Sequence, residues 1–484
     1  MTTLAPVQPR CVARSDEEDR SDRVAVIGAG SSGLAMLKNL RDAGLRADCL
    51  EREADFGGNW NIGLATSRVC ESTHLISSKS QTEYLDHPMP GEWPEYVSHR
   101  QALEYFRGYA DRFGLRDSIE FGAAVARVEP LGDGVRQRGW RVTLADGRRR
   151  RYAALAIANG HNHAMAFPDW SARSPRFEGE SPFGGEELHA GEYRTPDRLA
   201  GRCVLVIGGG NSGCDIAAES AQHAAATRLS LRRGYHFLPK FYRGKPIDWI
   251  GERLLRWRVP LAVRRVLAKA AVYVILGPRE GTGLPAPDHR LFETHPTINS
   301  QLVYRLRHGQ IEVRPDVERL TAEGVRYVDG REEPFDVIVH ATGYRLSIPF
   351  IDPALLAWRD GKPNLHLNVF APGRDDLFVL GLIQPDSGQW GLVDRQARLV
   401  TRYLLARDSG TNAARRFRAE IDREPTRRPR HAERYVDSPR HLLEVEHFSY
   451  ARRLDRAWRR LGKGLRAPAR VAVGEPTTAI TAAR

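Results

Sequence analysis

Apolar positions along the chain fall into short unbroken runs that lead into glycine turns, alternating with longer stretches of helical spacing. The first ordered unit reads Val24-Ala-Val-Ile27, then Gly28-Ala-Gly-Ser-Ser-Gly33, then a helix to about Ala43 stopped by Gly44, then Arg46–Leu50 as a second strand. A second copy begins at Val204-Leu-Val-Ile207 and continues through Gly208-Gly-Gly-Asn-Ser-Gly213. A helix to Ala225 and a strand over Thr227–Leu231 complete it. Each copy is a βαβ unit, and two in one chain predict two nucleotide sites. Between them, Leu103, Phe106, Tyr109 and Ala110 give Arg100–Phe113 helical spacing, and short strands follow over Ile119–Val128 and Trp140–Leu144. Arg136–Arg151 reads as a hairpin turning at Asp146-Gly147. Beyond the second copy, Arg253–Leu276 is a basic amphipathic helical stretch and Asp336–Ala341 a buried strand.

Length and composition narrow the class. At 484 residues the chain suits two or three domains, and 41% apolar residues with 44 Gly fit a globular α/β protein. The five cysteines (Cys11, Cys49, Cys70, Cys203, Cys214) contain no Cys-x-x-Cys pair. That argues against a disulfide framework or zinc ribbon and for a reducing, cytoplasmic setting. No transmembrane segment is expected, because the nearest apolar stretch, Val259–Leu276, is interrupted by Arg264, Arg265 and Lys269. The net charge of +13 is concentrated at one end, where Arg452–Arg470 holds eight basic residues against Asp455 alone. It reads as a basic tail; no recognition helix or aromatic stacking motif accompanies it, so nucleic acid is not an expected partner. The N-terminus up to Arg23, with its Asp16-Glu-Glu-Asp19 run, reads as a solvated tail. For Arg253–Lys269 the simpler reading is a solvated helical face, with peripheral contact to anionic lipid as the alternative.

Gly28, Gly30 and Gly33 lie between strand and helix. Lack of a Cβ there permits the tight turn, lets backbone approach a pyrophosphate and packs helix on strand. The helix N-terminus turns the positive end of its dipole to the phosphates. Glu51 closes the second strand eighteen residues after Gly33, where a carboxylate accepts hydrogen bonds from ribose hydroxyls. Gly208, Gly210 and Gly213 repeat the glycine pattern. At the matching offset, however, stands Leu231, followed by Arg232 and Arg233, with no acid nearby. A carboxylate there would repel a 2′-phosphate, whereas an arginine fork binds it. The second nucleotide is therefore expected to be NADPH, the bland alternative being that both arginines are surface charges. One acid-marked and one base-marked site together predict a flavoprotein, with FAD in the first domain.

Further segments sharpen this. They are Gly57-Gly58-Asn59-Trp60, Ala158-Asn159-Gly160-His161, Phe183-x-Gly185-x-x-x-His189-x-x-x-Tyr193, Ala341-Thr342-Gly343-Tyr344, and Leu377–Pro385 with Gln396-Ala397-Arg398 downstream. In these the chain resembles the flavin-containing monooxygenases, over roughly Arg23–Ala406. The resemblance places Gly58 and Trp60 along FAD, and Gly381 and Gln384 near the isoalloxazine. Thr342 and Gly343 lie where the chain returns from the NADPH domain. The implied fold class is α/β, with two Rossmann-like dinucleotide-binding domains. The FAD domain is discontinuous (23–190 and 336–450), the NADPH domain is inserted (191–335), and tails occupy 1–22 and 451–484. The implied chemistry is flavin reduction by NADPH, addition of O2 at the flavin C4a, and oxygenation of a small nucleophilic substrate at an amine nitrogen or sulfide sulfur. Tyr193 in place of the Trp of the related Baeyer-Villiger pattern favours heteroatom oxygenation over ketone chemistry, the runner-up. His189 reads as structural, tying two domains. One departure stands out. Lys79 and Asp86-His-Pro-Met-Pro90 fix a register that puts Ile76 where many members carry an Asn directed at the flavin. Ser77 and Ser78 are the catalytic candidates to supply a hydroxyl there, the alternatives being ordinary loop residues and an uncoupled NADPH oxidase. His161 and His163 have no acid nearby, so no metal is expected. A flavin disulfide reductase would need a redox cysteine pair, which is missing; a nucleotide sensor without catalysis is a further alternative. The homodimer, also expected, has no residue to carry it.

Overall fold

The computed structural model describes residues 17–132, 138–168, 183–257, 259–423, 441–463 and 465. Two sheets, each built on one glycine turn, organise it. In the first, β1 (Glu17–Ile27) runs parallel to β2 (Ala47–Leu50), with α1 (Ser31–Asp42) between them and β3 (Ile119–Glu120) beyond β2. Helix α2 (His99–Arg112) lies over the predicted segment, its start closed by a Ser98–Gln101 capping box. β4 (Val125–Pro130), β5 (Trp140–Leu144) and β6 (Arg149–Ile157) form an antiparallel meander, and the sheet order is β3-β2-β1-β6-β5-β4. The β5–β6 hairpin turns at Asp146-Gly147, where Gly147 takes φ +90°; the predicted hairpin's first residues, 136 and 137, lie outside the described residues.

The second sheet is wholly parallel. It takes β7 (Glu186–His189), β8 (Cys203–Ile207), β9 (Ala226–Ser230), β10 (Glu312–Arg314) and β11 (Val337–His340) in the order β10-β9-β8-β11-β7. Helix α3 (Asn211–His223) joins β8 to β9. The apolar runs predicted at 204–207 and 336–341 form two of its three inner strands, buried as parallel strands covered on both faces require. The chain then returns to the first sheet. β12 (Leu377–Val379) pairs with the second half of β6, whose first half pairs with β5. The first sheet is thus completed by a strand that follows the second sheet in the chain.

Three expectations are corrected. Residues 17–22, expected in the N-terminal tail, extend β1. Glu17, Glu18 and Asp19 pair in register with Arg149, Arg150 and Arg151, and the Glu17 carboxylate accepts from Arg141 Nε at 2.5 Å and Arg151 Nε at 2.6 Å. The acidic run is ordered by a basic run 130 residues away, which local composition does not show. Residues 451–461, expected in the basic C-terminal tail, belong to α8 (His447–Leu461), which buries Tyr450, Ala451, Leu454, Ala457 and Leu461. The partner is α6 (Trp390–Asp408), with α7 (Asn412–Arg423) beside both. Its arginines lie on the other face, so charge count concealed an amphipathic helix. The rest of both predicted tails, 1–16 and nearly all of 464–484, lies outside the described residues. Finally, the single helical stretch expected over Arg253–Leu276 is two helices, α4 (Ile247–Arg256) and α5 (Leu261–Leu276), parted before Pro260, which cannot donate the next helical hydrogen bond.

Candidate active site

At the first glycine turn, Gly28 has φ +100°, and a Cβ on it would stand 2.7 Å from the Ala158 carbonyl oxygen. A Cβ on Gly33 would fall 1.8 Å from the Gly28 oxygen, so helix and strand touch backbone to backbone. Gly30 faces Gly58, with only 3.8 Å between a Cβ placed on the former and the Cα of the latter. No side chain caps α1 at Gly30. A helix start left uncapped and flanked by bare glycine backbone is what a pyrophosphate needs. Glu51 stands beside it, its Oε2 accepting from Ala29 N–H at 2.6 Å and its Oε1 from Glu53 N–H at 3.0 Å. Burial raises the carboxyl pKa, and these two backbone donors oppose the rise. The carboxylate is thus aimed and still has lone pairs for ribose hydroxyls. The residues present fit a flavin dinucleotide.

The segment after β12 joins the same turn. Gly381 has φ +73° and packs so closely on Ser32 that a Cβ would meet its Oγ at 2.1 Å. Its N–H donates to Gln396 Oε1 at 2.9 Å, and its carbonyl accepts from Gln389 Nε2 at 3.1 Å. Gln396 in turn donates to the Tyr450 hydroxyl, which donates to the Leu367 carbonyl at 2.5 Å. Trp60 stands edge-on to Trp390, ring centroids 5.7 Å apart. Gln384 is half-buried and lies on a short bridge to Glu444. Gly28, Gly30, Gly33, Glu51, Gly58 and Gly381 therefore converge on the start of α1.

The second turn repeats the geometry. Gly208 has φ +118°, a Cβ there would meet the Ala341 carbonyl oxygen at 2.5 Å, and one on Gly213 would meet the Gly208 oxygen at 2.1 Å. Gly210 starts α3 without a side-chain cap. Past β9, Arg232 is exposed and forms no ion pair among the described residues, while Arg233 has Asp288 at 3.9 Å. An unpaired guanidinium at that offset fits a 2′-phosphate.

The resemblance's long fingerprint has a packing explanation. Gly185 leaves room for the Phe183 ring and the Asp336 carbonyl. His189 Nδ1 accepts from Gly191 N–H at 3.0 Å, which leaves Nε2 protonated to donate to the Gly343 carbonyl at 3.0 Å. The Tyr193 hydroxyl donates to Glu219 at 2.7 Å, and Ser72 reaches the same carboxylate oxygen at 3.2 Å. Thr342 donates to the Ala166 carbonyl. His189 is thus a clamp between the linker and the return segment.

The catalytic candidates are placed differently. Ile76 is 36% exposed. Ser77 Oγ bonds Thr82 Oγ1 at 2.8 Å, and Ser78 is buried with its backbone N–H donating to Asp248 Oδ2 at 2.6 Å. Ser77 is engaged locally, and Ser78 through its backbone with a distant segment. Asp248, on α4, carries no local signal that would single it out, because the contact spans 170 residues. Burial raises its pKa. Two neighbours extend this junction: Gln81 donates to Glu252, and the Tyr96 hydroxyl donates to the Lys240 carbonyl at 2.6 Å.

Two uncapped glycine turns, one beside an acid and the other followed by arginines, on one mixed and one wholly parallel sheet in one chain, fit a flavoprotein of the two-dinucleotide class. Comparison with known proteins then fixes the family. The pattern of the flavin-binding monooxygenase-like family matches residues 21–457, and the chain belongs to that family. It is 31% identical over 444 residues to flavin-containing monooxygenase 5 of Oryctolagus cuniculus, covering 88% of this chain and 80% of that protein. It is 34% identical over 400 residues to dimethylaniline monooxygenase [N-oxide-forming] 2 of Rattus norvegicus, covering 79% and 73%. A solved flavin-containing monooxygenase from Stenotrophomonas maltophilia shares the fold, with a TM-score of 0.59 at 23% identity over 81% of this chain and 99% of that one. The protein is an FAD-dependent NADPH monooxygenase.

Proposed function

We propose that the protein oxygenates a soft nucleophile, an amine nitrogen or a sulfide sulfur, at a site between the two glycine turns. The observation that carries this reading is the contrast between them: Glu51 fixed by two backbone N–H groups at one, Arg232 exposed and unpaired at the other. When bound, the flavin supplies hydride acceptance from NADPH and oxygen activation. The chain supplies binding and shelter. Gly28, Gly30, Gly33 and Gly58 offer backbone to the FAD pyrophosphate, and Glu51 receives the ribose hydroxyls. Trp60, Gly381 and Gln384 flank the ring system. Gly208, Gly210 and Gly213 take the NADPH pyrophosphate, Arg232 and Arg233 the 2′-phosphate, and Thr342 and Gly343 hold the crossing between domains. The relative named as N-oxide-forming supports the amine option.

No acid–base set is required of the chain, but water exclusion is. The junction of α4 with 78–96 provides cover, and Ser77, joined to Thr82, follows Ile76 in the chain. Substitution Ile76→Asn tests that part: hydrogen peroxide released per NADPH should fall severalfold, and an unchanged ratio would remove the position from the mechanism. The whole reading is tested by oxygen uptake and product analysis on a panel of tertiary amines, sulfides and ketones. Amines or sulfides should give N-oxide or S-oxide with NADPH; turnover of ketones alone to esters would replace it with Baeyer-Villiger chemistry.

A further inference from the structure

Beyond Gly381 the return segment runs into an acidic recess. Gln384-Pro385 pairs in parallel with Glu444-Val445, Gln384 standing opposite Glu444, and the Asp386 N–H donates to the Val445 carbonyl at 3.3 Å. Paired residues on neighbouring strands point to the same side, and so do residues two apart on one strand. Gln384, Asp386 and Glu444 therefore share a face. Gln384 is the residue that the proposed function sets beside the flavin ring system, so the two carboxylates continue that wall. A Cβ on Gly388 would meet the Gln81 carbonyl oxygen at 2.0 Å, and Gln81 donates to Glu252 of α4. The recess thus lies between the first glycine turn and the α4 junction.

Its carboxylates have few donors. The Glu444 side chain is 1% exposed, and neither of its oxygens has a hydrogen-bond partner among the described residues. His295 Nδ1 stands 3.7 Å away, beyond hydrogen-bond range. Asp386 accepts one bond, from the His447 N–H to Oδ1 at 2.9 Å. Its side chain is exposed, yet burial among its neighbours raises its carboxyl pKa, with Glu446 and Glu444 adding to the rise and the His447 N–H and His295 opposing it. A group that solvent reaches and protein nonetheless surrounds lines a cleft. Glu446 is engaged in capping α8, accepting from the Phe448 N–H at 3.1 Å and the Ser449 N–H at 2.8 Å. Three oxygens, Oδ2 of Asp386 and both of Glu444, are left with no donor among the described residues.

Charge and donor number then select the occupant. A carboxylate enclosed without donors is costly unless a cation meets it. A divalent metal would need several ligands converging at close range, and no group of three His, Cys, Asp or Glu among the described residues does so. An ammonium group needs less. It brings one positive charge and N–H donors pointing in three directions, which suit the three free oxygens. Such a group is protonated and has no lone pair to receive oxygen, so it anchors the substrate while another atom reacts. In a chain of net charge +13 an acidic recess also stands apart from the rest of the surface.

We propose that Asp386 and Glu444 bind a protonated amine that the substrate carries in addition to the nitrogen or sulfur that is oxygenated, which makes the substrates aminoalkyl sulfides or diamines; this rests on the oxygenation reading. The test compares aminoethyl methyl sulfide with methyl propyl sulfide, its uncharged isostere, as substrates of the FAD-loaded enzyme with NADPH at about pH 7.5, where the amine is protonated. The ratio of kcat/KM should favour the charged sulfide by about tenfold or more, through KM, as a charge-assisted contact provides. Asp386→Asn keeps an acceptor for the His447 N–H, and Glu444→Gln keeps the side-chain volume. Each should bring the ratio to within about twofold of unity. Calorimetry of aminoethyl methyl sulfide with the oxidised holoenzyme, without NADPH, reads binding apart from turnover, and Kd should rise by about tenfold or more in either variant. No preference for the charged sulfide in the native enzyme, a preference and Kd that both substitutions leave intact, or displacement of the amine by millimolar magnesium or calcium chloride would overturn the proposal and leave oxygenation in place. Amine binding that both substitutions weaken, with neither sulfide oxygenated, would uphold the recess and overturn the oxygenation reading instead.

Discussion

At the residue scale the nucleotide assignment turns on one unpaired cation. Arg232 is exposed and forms no ion pair among the described residues, so removing it leaves no described group buried and unsatisfied. A charge-assisted hydrogen bond to phosphate contributes about 1.5–3 kcal/mol, or roughly 10- to 100-fold in binding. Arg232→Ala should raise the KM for NADPH by that factor and leave the KM for NADH unchanged, as steady-state assays with both donors would show. A second residue couples the NADPH domain to pH. Asp215 of α3 accepts from Asn299 Nδ2 at 2.6 Å, but burial pushes its carboxyl pKa up to about 6. A raised carboxylate pKa means that the fold prefers the neutral form. Its stabilising contribution is complete below the ordinary carboxylate range, near 4, and is lost as pH rises through about 6. Asp215→Asn keeps the acceptor for Asn299 and cannot ionise. Thermal melts should therefore show the variant gaining over the native chain at pH 8 and gaining less at pH 5; an equal gain at both would remove the ionisation from the account. The glycines were legible in the sequence because the space a Cβ needs is settled by neighbours in the turn. Asp215 and Asp248 were not, because enclosure by distant segments shifts them.

At the scale of elements, both copies of the βαβ unit, α2 and the β5–β6 hairpin could be read from periodicity and turn residues. The two ends could not. The acidic run at 17–19 becomes a strand only when Arg149–Arg151 lies beside it, and α8 shows its apolar stripe only once its arginines are set on a helix. Helix α8 also carries a tie to the first glycine turn. Tyr450 on α8 receives the Gln396 amide at 2.7 Å and donates to the Leu367 carbonyl, and Gln396 holds the Gly381 N–H. All four groups are buried. Tyr450→Phe leaves the Gln396 amide and a carbonyl without a partner, at about 1–3 kcal/mol. We expect a lower melting temperature and, because Gln396 loses its anchor, FAD affinity weakened severalfold in titrations of apoprotein. A melting change with FAD affinity intact would reduce Tyr450 to a stabilising role.

At the scale of the molecule, two sets of bonds join the domains. The first set is at the crossing: His189 to Gly343, Tyr193 and Ser72 to Glu219, and Arg194 Nη2 to the Ser67 carbonyl at 2.7 Å. Its residues sit in a fingerprint that the sequence displays. The second set joins α4 and its approach to 78–96 through Asp248, Glu252 and Lys240. No sequence pattern announces it, since its two sides are separated by more than 140 residues. The two sets should have different functions. In the proposed reading the crossing sets where the nucleotide domains stand, on which hydride transfer depends, and the α4 junction covers the segment that holds Ile76. On that reading an aliphatic Ile76 leaves more of the task to cover against water. Asp248→Ala removes the acceptor of the buried Ser78 N–H and so loosens the cover without touching either glycine turn. Stopped-flow reduction of the flavin by NADPH should change by no more than about twofold, while peroxide released per NADPH rises and oxygenated product falls in proportion. Tyr96→Phe, which breaks the tie to Lys240, should shift the same ratio in the same direction. If flavin reduction slows as much as coupling fails, α4 positions the nucleotide domains and the division between crossing and cover does not hold.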